Sequence, residues 1–311
     1  MKAHYFLLRI PVFGLQDFLP STLRWRYKAG PIPPFLRRSL RGGCRVPCSF
    51  VLICFFVSLL GAGCGTMQNG RRWGGDAFSS PTLEKIGQSA YRALVDWQTL
   101  LPAAGALIFT IDHFDTRVSD WAGQNHPIFG SESGAKTASD ILYIGTYLEA
   151  IGTSFATPSG EDSKDWKIAK AKGFGVELLA FGATAGTTVL LRQTTQRTAP
   201  DGIENSFPSG HETLGVGNLT FSNRNLDYIP MSDEVRIPIQ AGNIAYGALL
   251  GWARVEARAH YPTDVLVGAA LGHFINAFIY DAFMNLPESK NFGISVSPER
   301  GGALVSLFFS F

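Results

Sequence analysis

Two short stretches, about forty residues apart, hold the groups of this chain best suited to chemistry. The first reads Ser206-Phe207-Pro208-Ser209-Gly210-His211. The second, WARVEARAHYPTD, carries Arg254-x5-His260-x3-Asp264. Together they supply two imidazoles, a carboxylate, a guanidinium and a Gly-containing turn. That set suits the binding of a phosphate-like anion and its transfer to a histidine. His260 has the chemistry of a nucleophile, and Asp264 can hold its imidazole in the required tautomer. Arg254, Ser209 and the Gly210 amide can neutralise the anion's oxygens. His211 can protonate a leaving group.

Helices must bring these groups together. Apolar residues at helical spacing predict a first block over 82–110, kinked or broken at Pro102, then helices over 138–153 and 164–191. Arg192 follows the second of these at its C-terminal end, a favourable place for a cation. A glycine-containing loop, 198–206, leads to Pro208-Ser209-Gly210-His211. A helix from about His211 to Leu219 then points its N-terminal amides at the anion site. Helices over 239–258 and 262–284 complete the set, with Pro262 in a first turn, where proline fits. His260 and Asp264 then lie one turn apart, within reach of a hydrogen bond. The stretch Asp112–Ser133 holds Asp112, His113, Asp115 and His126, whose spacing matches no defined ligand set; it reads as a solvated loop and not as a metal site. Glu256 and Arg258 read as surface pairs, and His273 as a packing histidine.

The expected fold class is all-α, a helical bundle with a small C-terminal β-hairpin over 286–311, where two β-like runs flank Pro298–Gly302. The last helix is the most apolar, yet it carries His273 between Asp264 and Asp281. The helix after His211 looks too short and polar to cross a membrane. A soluble bundle is therefore expected.

The chain has 311 residues, 46% hydrophobic and 17% charged, with a net charge of +2. That length allows one good-sized domain with extensions. The near-neutral charge, with no basic stripe, argues against nucleic acid as a partner. All four cysteines, Cys44, Cys48, Cys54 and Cys64, lie in the first 64 residues, so neither a disulfide framework nor a Cys-based metal site is expected.

Residues 49–63 form an apolar run of fifteen, preceded by Arg37, Arg38, Arg41 and Arg45, as in a signal peptide. The run ends in Leu60-Gly61-Ala62-Gly63-Cys64, which resembles a bacterial lipoprotein processing site with its Leu one position early. Export and lipidation at Cys64 are expected; an ordinary cleaved signal and a retained anchor are the alternatives. With Gly65 after the cysteine, the expected location is the periplasmic side of the cell envelope, anchored by lipid to the outer membrane. Residues 1–45 do not fit an export signal and read as a start assigned too far upstream. The expected organisation is an extension plus signal peptide over 1–63, a linker over 64–81, a catalytic domain over 82–285 and the hairpin tail over 286–311.

The two motifs resemble those of the type 2 phosphatidic acid phosphatase (PAP2) superfamily, which also contains bacterial acid phosphatases and vanadium haloperoxidases. The family pattern is Lys-x6-Arg-Pro, Pro-Ser-Gly-His, then Ser-Arg-x5-His-x3-Asp. Pro208, Ser209, Gly210 and His211 match the second part. Arg254, His260 and Asp264 match the third, with Ala253 in place of Ser. In the first part, aligned on Pro200, Arg192 takes the Lys position and Ala199 the Arg position; Arg197, two residues earlier, is a substitute for it. The resemblance covers roughly residues 80–285. It implies a metal-independent phosphatase acting on a phosphate monoester or a lipid (pyro)phosphate, through a phosphohistidine on His260. His211 would be acid and base, Asp264 the partner of His260, and Arg192, Arg197, Ser209, Gly210 and Arg254 the phosphate ligands, with no cofactor. A vanadate-dependent haloperoxidase and a non-catalytic phosphate- or lipid-binding protein are the alternatives.

Overall fold

The computed structural model describes residues 63–67 and 69–287, and the backbone of three strands at His4–Pro11, Phe292–Glu299 and Gly302–Phe309. The expected signal peptide lies outside the described residues but for Gly63. The chain divides into two compact units. In one, His4–Pro11 pairs antiparallel with Gly302–Phe309 in a three-stranded sheet. The side chains of the expected C-terminal hairpin lie outside the described residues, and the hairpin stays an expectation.

The other unit is helical. Among the described residues it has eight α-helices: α1 (Leu83–Val95), α2 (Trp97–Phe109), α3 (Phe114–Asn125), α4 (Glu132–Ala156), α5 (Ser163–Thr195), α6 (Gly210–Leu226), α7 (Asp233–Glu256) and α8 (Pro262–Phe283). Asp96 leaves helical geometry (φ −61°, ψ 135°), and its carboxylate accepts from the Gln98 amide at 3.0 Å. Such a cap starts a new helix. The first helical block therefore breaks at Asp96, and Pro102 lies inside α2.

Two stretches depart further from expectation. The supposed loop at 112–133 contains most of a 3₁₀ turn, Ile111–His113, and then α3. Few apolar residues mark α3 in the sequence, but it is anchored by buried Ala122 against Val255 and Val265. Glu256, expected at the surface, is fully buried. It accepts from the Ile128 and Phe129 amides at 3.3 and 2.8 Å and from the Trp252 indole at 2.9 Å, tying the end of α3 to α7. α6 runs on from Leu219 to Leu226 and is buried along most of its length. Apart from Glu212, whose buried Oε2 has no partner, most of its polar residues are paired inside the bundle, which is why composition misleads there. Asn225 accepts from the Trp73 indole at 2.9 Å and the Tyr280 hydroxyl at 2.7 Å, and donates to Ser154 Oγ at 3.0 Å and Glu177 Oε1 at 2.9 Å.

α6 and α8 touch through small residues. A side chain at Gly272 would run into the Thr213 carbonyl, and one at Gly217 into the Asn276 amide. Glycine lets the two backbones approach this closely. The approach joins the first turns of both helices, where the Ser209 amide donates to the Asp264 carbonyl at 2.9 Å.

The outside of the bundle is apolar. Leu100, Leu101, Leu107 and Ile108 on α2 are exposed, as are Ile141, Ile144, Leu148 and Ile151 on α4. So are Leu178, Leu179, Val189 and Leu190 on α5, and Ile237, Ile239, Ile244 and Leu249 on α7. Between Lys172 and Arg192, α5 carries no charge but the buried Glu177, and between Arg236 and Arg254 α7 carries none. The expected soluble bundle would turn these faces inward. The interior instead holds Glu177, Lys170, Asn225, Asn276 and His273. Among the described residues, α5 and α8 are long and apolar enough to cross a membrane.

The stretch read as a linker over 64–81 is packed. Trp73 is fully buried, its indole stacked under Lys170 Nζ at 4.8 Å and its edge bonded to Asn225 and Tyr280. Trp73→Ala is expected to cost about 3–5 kcal/mol of stability, as for other large aromatics cut out of a core. Asn225 lies sixteen residues along α6 from Ser209, roughly 24 Å at 1.5 Å per residue. The variant should therefore show a lower thermal unfolding midpoint while ligand binding at the first turn of α6 is retained; an unchanged midpoint would contradict the packing role.

Candidate active site

The site forms where five chain segments end or begin. Ser209 is the N-cap of α6 and fully buried, its Oγ without a hydrogen-bond partner. Arg192, in the last turn of α5, donates from Nε to the Pro208 carbonyl at 3.0 Å. Its guanidinium lies against Gly210, where an added Cβ would sit 3.1 Å from Nη2. Arg254, in the last turn of α7, donates from Nη1 to Ser139 Oγ on α4 at 3.1 Å, and its buried Nε is unpaired. His260 lies in the turn between α7 and α8, almost fully buried. Its Nδ1 is 3.6 Å from Asp264 Oδ2 in the first turn of α8, an ion-pair contact too long for a hydrogen bond. Catalytic contacts of this kind often tighten only when ligand binds.

His211, Arg192, Arg254 and His260 line one cavity of about 200 Å³, with Ala199, Asp201, Glu204 and Ser206 of the α5–α6 loop at its edge. At about 30 Å³ per water, that is room for a tetrahedral oxyanion and a few further atoms. Two guanidiniums and two imidazoles face one small space beside the N-terminus of α6, with Asp201 and Glu204 also on its wall. Such an arrangement favours a multiply charged anion.

Arg192, His211, Arg254 and His260 thus meet on one cavity, while Ser209, Gly210 and Asp264 lie next to these residues without lining it. Arg197 differs. It does not line the cavity; Nη1 donates to Asp264 Oδ1 and Thr263 Oγ1, each at 2.6 Å, and Nη2 to Asp115 Oδ2 at 2.6 Å. Ala199 does line it, leaving a methyl where the family pattern has a guanidinium. Cys64 is exposed, and its neighbours Gly63 and Gly65 bond to the α4–α5 connection, at the ends of those helices away from Arg192. His273 contacts Thr220 Oγ1 at 3.1 Å and Asp96 at 3.3 Å inside the bundle.

Three residues of α4 were not visible as site residues. Asp140 Oδ1 lies 3.1 Å from His211 Nε2, the Tyr143 ring packs on His211 at 4.4 Å, and Ser139 holds Arg254. The one available signal was an Asp at the start of an apolar helical run. Asp115, read as part of a solvated loop, is buried and bonded to Arg197 and Thr263.

The electrostatics follow from this packing. His211 is pushed down to about 4, first by burial and then by Arg254, with Asp140 acting in the opposite direction. His260 is also lowered, mainly by burial, with Arg254 and Arg192 adding and Asp264 opposing. Both imidazoles are thus disposed to be neutral in the empty cavity at pH 7.

Comparison with known proteins agrees with the motifs. Residues 175–287 match the family model of the PAP2 superfamily. Over 96 residues the chain is 31% identical to a "Probable lipid phosphate phosphatase 4" of Arabidopsis thaliana, covering 28% of this chain and 30% of that protein. The chain therefore spans under a third of that relative's length. A solved structure, the first transmembrane PAP2 type phosphatidylglycerolphosphate phosphatase from Bacillus subtilis, aligns with a TM-score of 0.43 at 20% identity, over 63% of this chain and 94% of that one.

The His211–Asp140 contact gives a direct expectation. Histidine titration by NMR should find His211 near 4 in the unliganded protein. Asp140→Asn should lower it further, because the carboxylate favours the imidazolium. Saturating phosphate should raise it for the same reason. A His211 that titrates unchanged in Asp140→Asn would remove Asp140 from the site.

Proposed function

We propose that this chain, whose residues 175–287 match the PAP2 superfamily, is a phosphatase of lipid phosphates that works through a phosphohistidine. The observation that carries the reading is the convergence of both imidazoles and two guanidiniums on one cavity sized for a phosphate.

The neutral His260 attacks phosphorus from Nε2, the nitrogen not facing Asp264. The bond from phosphorus to the ester oxygen breaks opposite, and protonated His211 gives that oxygen its proton. Arg192, Arg254, Ser209 Oγ and the Gly210 amide hold the three remaining oxygens as charge spreads over them. Asp264 stabilises the charge on the phosphorylated imidazole. Water then attacks phosphorus, His211 takes its proton, and phosphate leaves with His260 restored. The scheme uses side chains and water alone. The negative charge of a bound phosphate favours the imidazolium of His211 and so opposes the burial that holds it low.

The exposed apolar faces of α2, α4, α5 and α7 support a membrane setting. From Gly173 to Leu191, α5 covers 19 residues, about 28 Å, close to the ~30 Å hydrocarbon thickness of a bilayer. Paired polar groups inside and unpaired apolar ones outside are what a bilayer, and not water, rewards. The cavity then lies at one end of the apolar belt, where a phosphate head group would be met. Cys64 at the opposite end remains the proposed lipidation site.

Two expectations test this reading. His260→Ala should lower turnover of a lipid phosphate by about 10³-fold or more, and labelled phosphate from wild-type enzyme should be trapped on His260. Trapping on another residue, or near wild-type turnover in the variant, would end the mechanism. For the membrane, single cysteines at Ile144, Leu178 and Ile244 should resist a water-soluble maleimide in native membranes, while one at Glu84 reacts. Equal labelling at all four positions would mean a bundle in water.

A further inference from the structure

Beside His260, three chain segments meet in a polar cluster whose Arg197, Asp115 and Thr263 also border a second, larger cavity. Asp264 uses its two oxygens differently. Oδ2 accepts from the Tyr261 amide at 3.1 Å and faces His260 Nδ1 at 3.6 Å. Oδ1 accepts from Arg197 Nη1 at 2.6 Å. The same nitrogen donates to Thr263 Oγ1 at 2.6 Å, and Nη2 donates to Asp115 Oδ2 at 2.6 Å. Asp115 is buried, and also accepts from the Thr263 amide at 2.9 Å and its hydroxyl at 2.6 Å. The Arg197 guanidinium lies over the Tyr261 ring at 4.3 Å, which fixes its plane.

We propose that Arg197 and Asp115 are positioning residues for His260: their clamp holds Asp264 ionised, with Oδ2 turned toward the nucleophile. This rests on the phosphatase reading above. Asp115 and Asp264 are two buried carboxylates gathered around Thr263, and Arg197 is the cation bonded to both. Without it, two like charges in a poorly solvated place favour protonation of one of them. A protonated Asp264 no longer supports charge on His260. The fork matters as well as the charge, since a guanidinium can bond two carboxylates at fixed angles where an ammonium is a point. Arg197 reaches α3 through Asp115 and α8 through Asp264, and its own amide-bearing loop carries Ser206, whose amide donates to the Arg197 carbonyl at 2.9 Å. The clamp therefore sets the loop over the cavity and the nucleophile's partner in one piece.

The groups that face His260 are Arg254 of α7, Arg192 of α5, His211 of α6 and Asp264 of α8. Only Asp264 among them is bonded to Arg197. An effect of Arg197 on His260 must therefore pass largely through Asp264, and a double-mutant cycle separates the two possibilities.

The experiment uses the full chain in lipid nanodiscs, with Arg197→Ala, Asp264→Asn and the double variant. Arg197→Ala should lower kcat about 10²-fold, as misplacement of a catalytic group does, while the inhibition constant of inorganic phosphate moves by less than about threefold. In the Asp264→Asn background, Arg197→Ala should cost nothing further. Arg197→Lys should rescue poorly. A second readout needs no turnover: by NMR, Asp264→Asn should lower the His260 titration midpoint in the wild-type background and leave it unmoved in Arg197→Ala. If Arg197→Ala does not fold, Arg197→Gln with Asp264→Asn forms the same cycle. Phosphate affinity weakened tenfold or more with kcat preserved would make Arg197 a phosphate ligand and overturn the proposal. So would losses that multiply in the double variant, or equal His260 shifts in both backgrounds. A wild type inactive on every phosphate ester would sink the phosphatase reading, while the titration cycle would still decide the clamp.

Discussion

The contact on which the site depends is the close approach of α6 and α8. Gly272 against the Thr213 carbonyl and Gly217 against the Asn276 side-chain amide let the two helices approach closely. One end of that seam is the Ser209 amide bonded to the Asp264 carbonyl. The turn that presents His211 and the turn that presents His260 are thereby fixed to each other by main chain. α5 and α7 then bring one arginine each to the same end, and α4 brings Asp140 and Ser139. A larger residue in the seam would move both histidines apart before it touched either.

The same bundle buries many polar groups beside its apolar core and leaves many apolar ones outside. Its interior carries Glu177, Asn225, Lys170 and Trp73 in one connected set: Lys170 donates to the Thr157 carbonyl at 2.7 Å, and Asn225 joins Glu177 to the Trp73 indole. Buried polar groups persist only when each finds a partner, so this end of the bundle is held by specific geometry. The exposed leucines and isoleucines of α4, α5 and α7 contribute little to that geometry. They face the surroundings, and the surroundings decide whether they are tolerated.

The sequence made the chemistry more legible than the architecture. Arg192, His211, Arg254 and His260 were found by type and interval, and they line one cavity. Intervals of four residues on a helix are local, so Asp264 beside His260 could be read directly. Asp140 and Asp115 could not, because nothing local distinguishes an acid that meets its partner seventy or more residues away. Arg197 was seen, but its direction was not: a guanidinium near a phosphate site points equally well to anion or to carboxylate until Asp115 is placed. α3 was missed because its buried face is only Asp115, Ser119 and Ala122. The soluble bundle was expected because the polar length of α6 looks like a surface. Only the packing shows that those side chains are spent on one another.

α6 also bears on how such a chain is assembled during synthesis. Asn218, Asn223, Asn225 and Arg224 make it a poor lone occupant of lipid. The partners that precede it, Ser154 and Glu177, come from α4 and α5, but Tyr280 and Asp281 come from the end of α8. A nascent chain that has reached α6 has only half of the walls needed to shelter it. In the proposed bilayer setting, the helix must wait at the interface, or in the keeping of the insertion machinery, until α7 and α8 have been made. On that reading His211 is translated early and seated late. A ribosome that stops short of α8 releases a chain with an unhoused helix and not a weakened enzyme, so quality control has a single, well-defined defect to recognise.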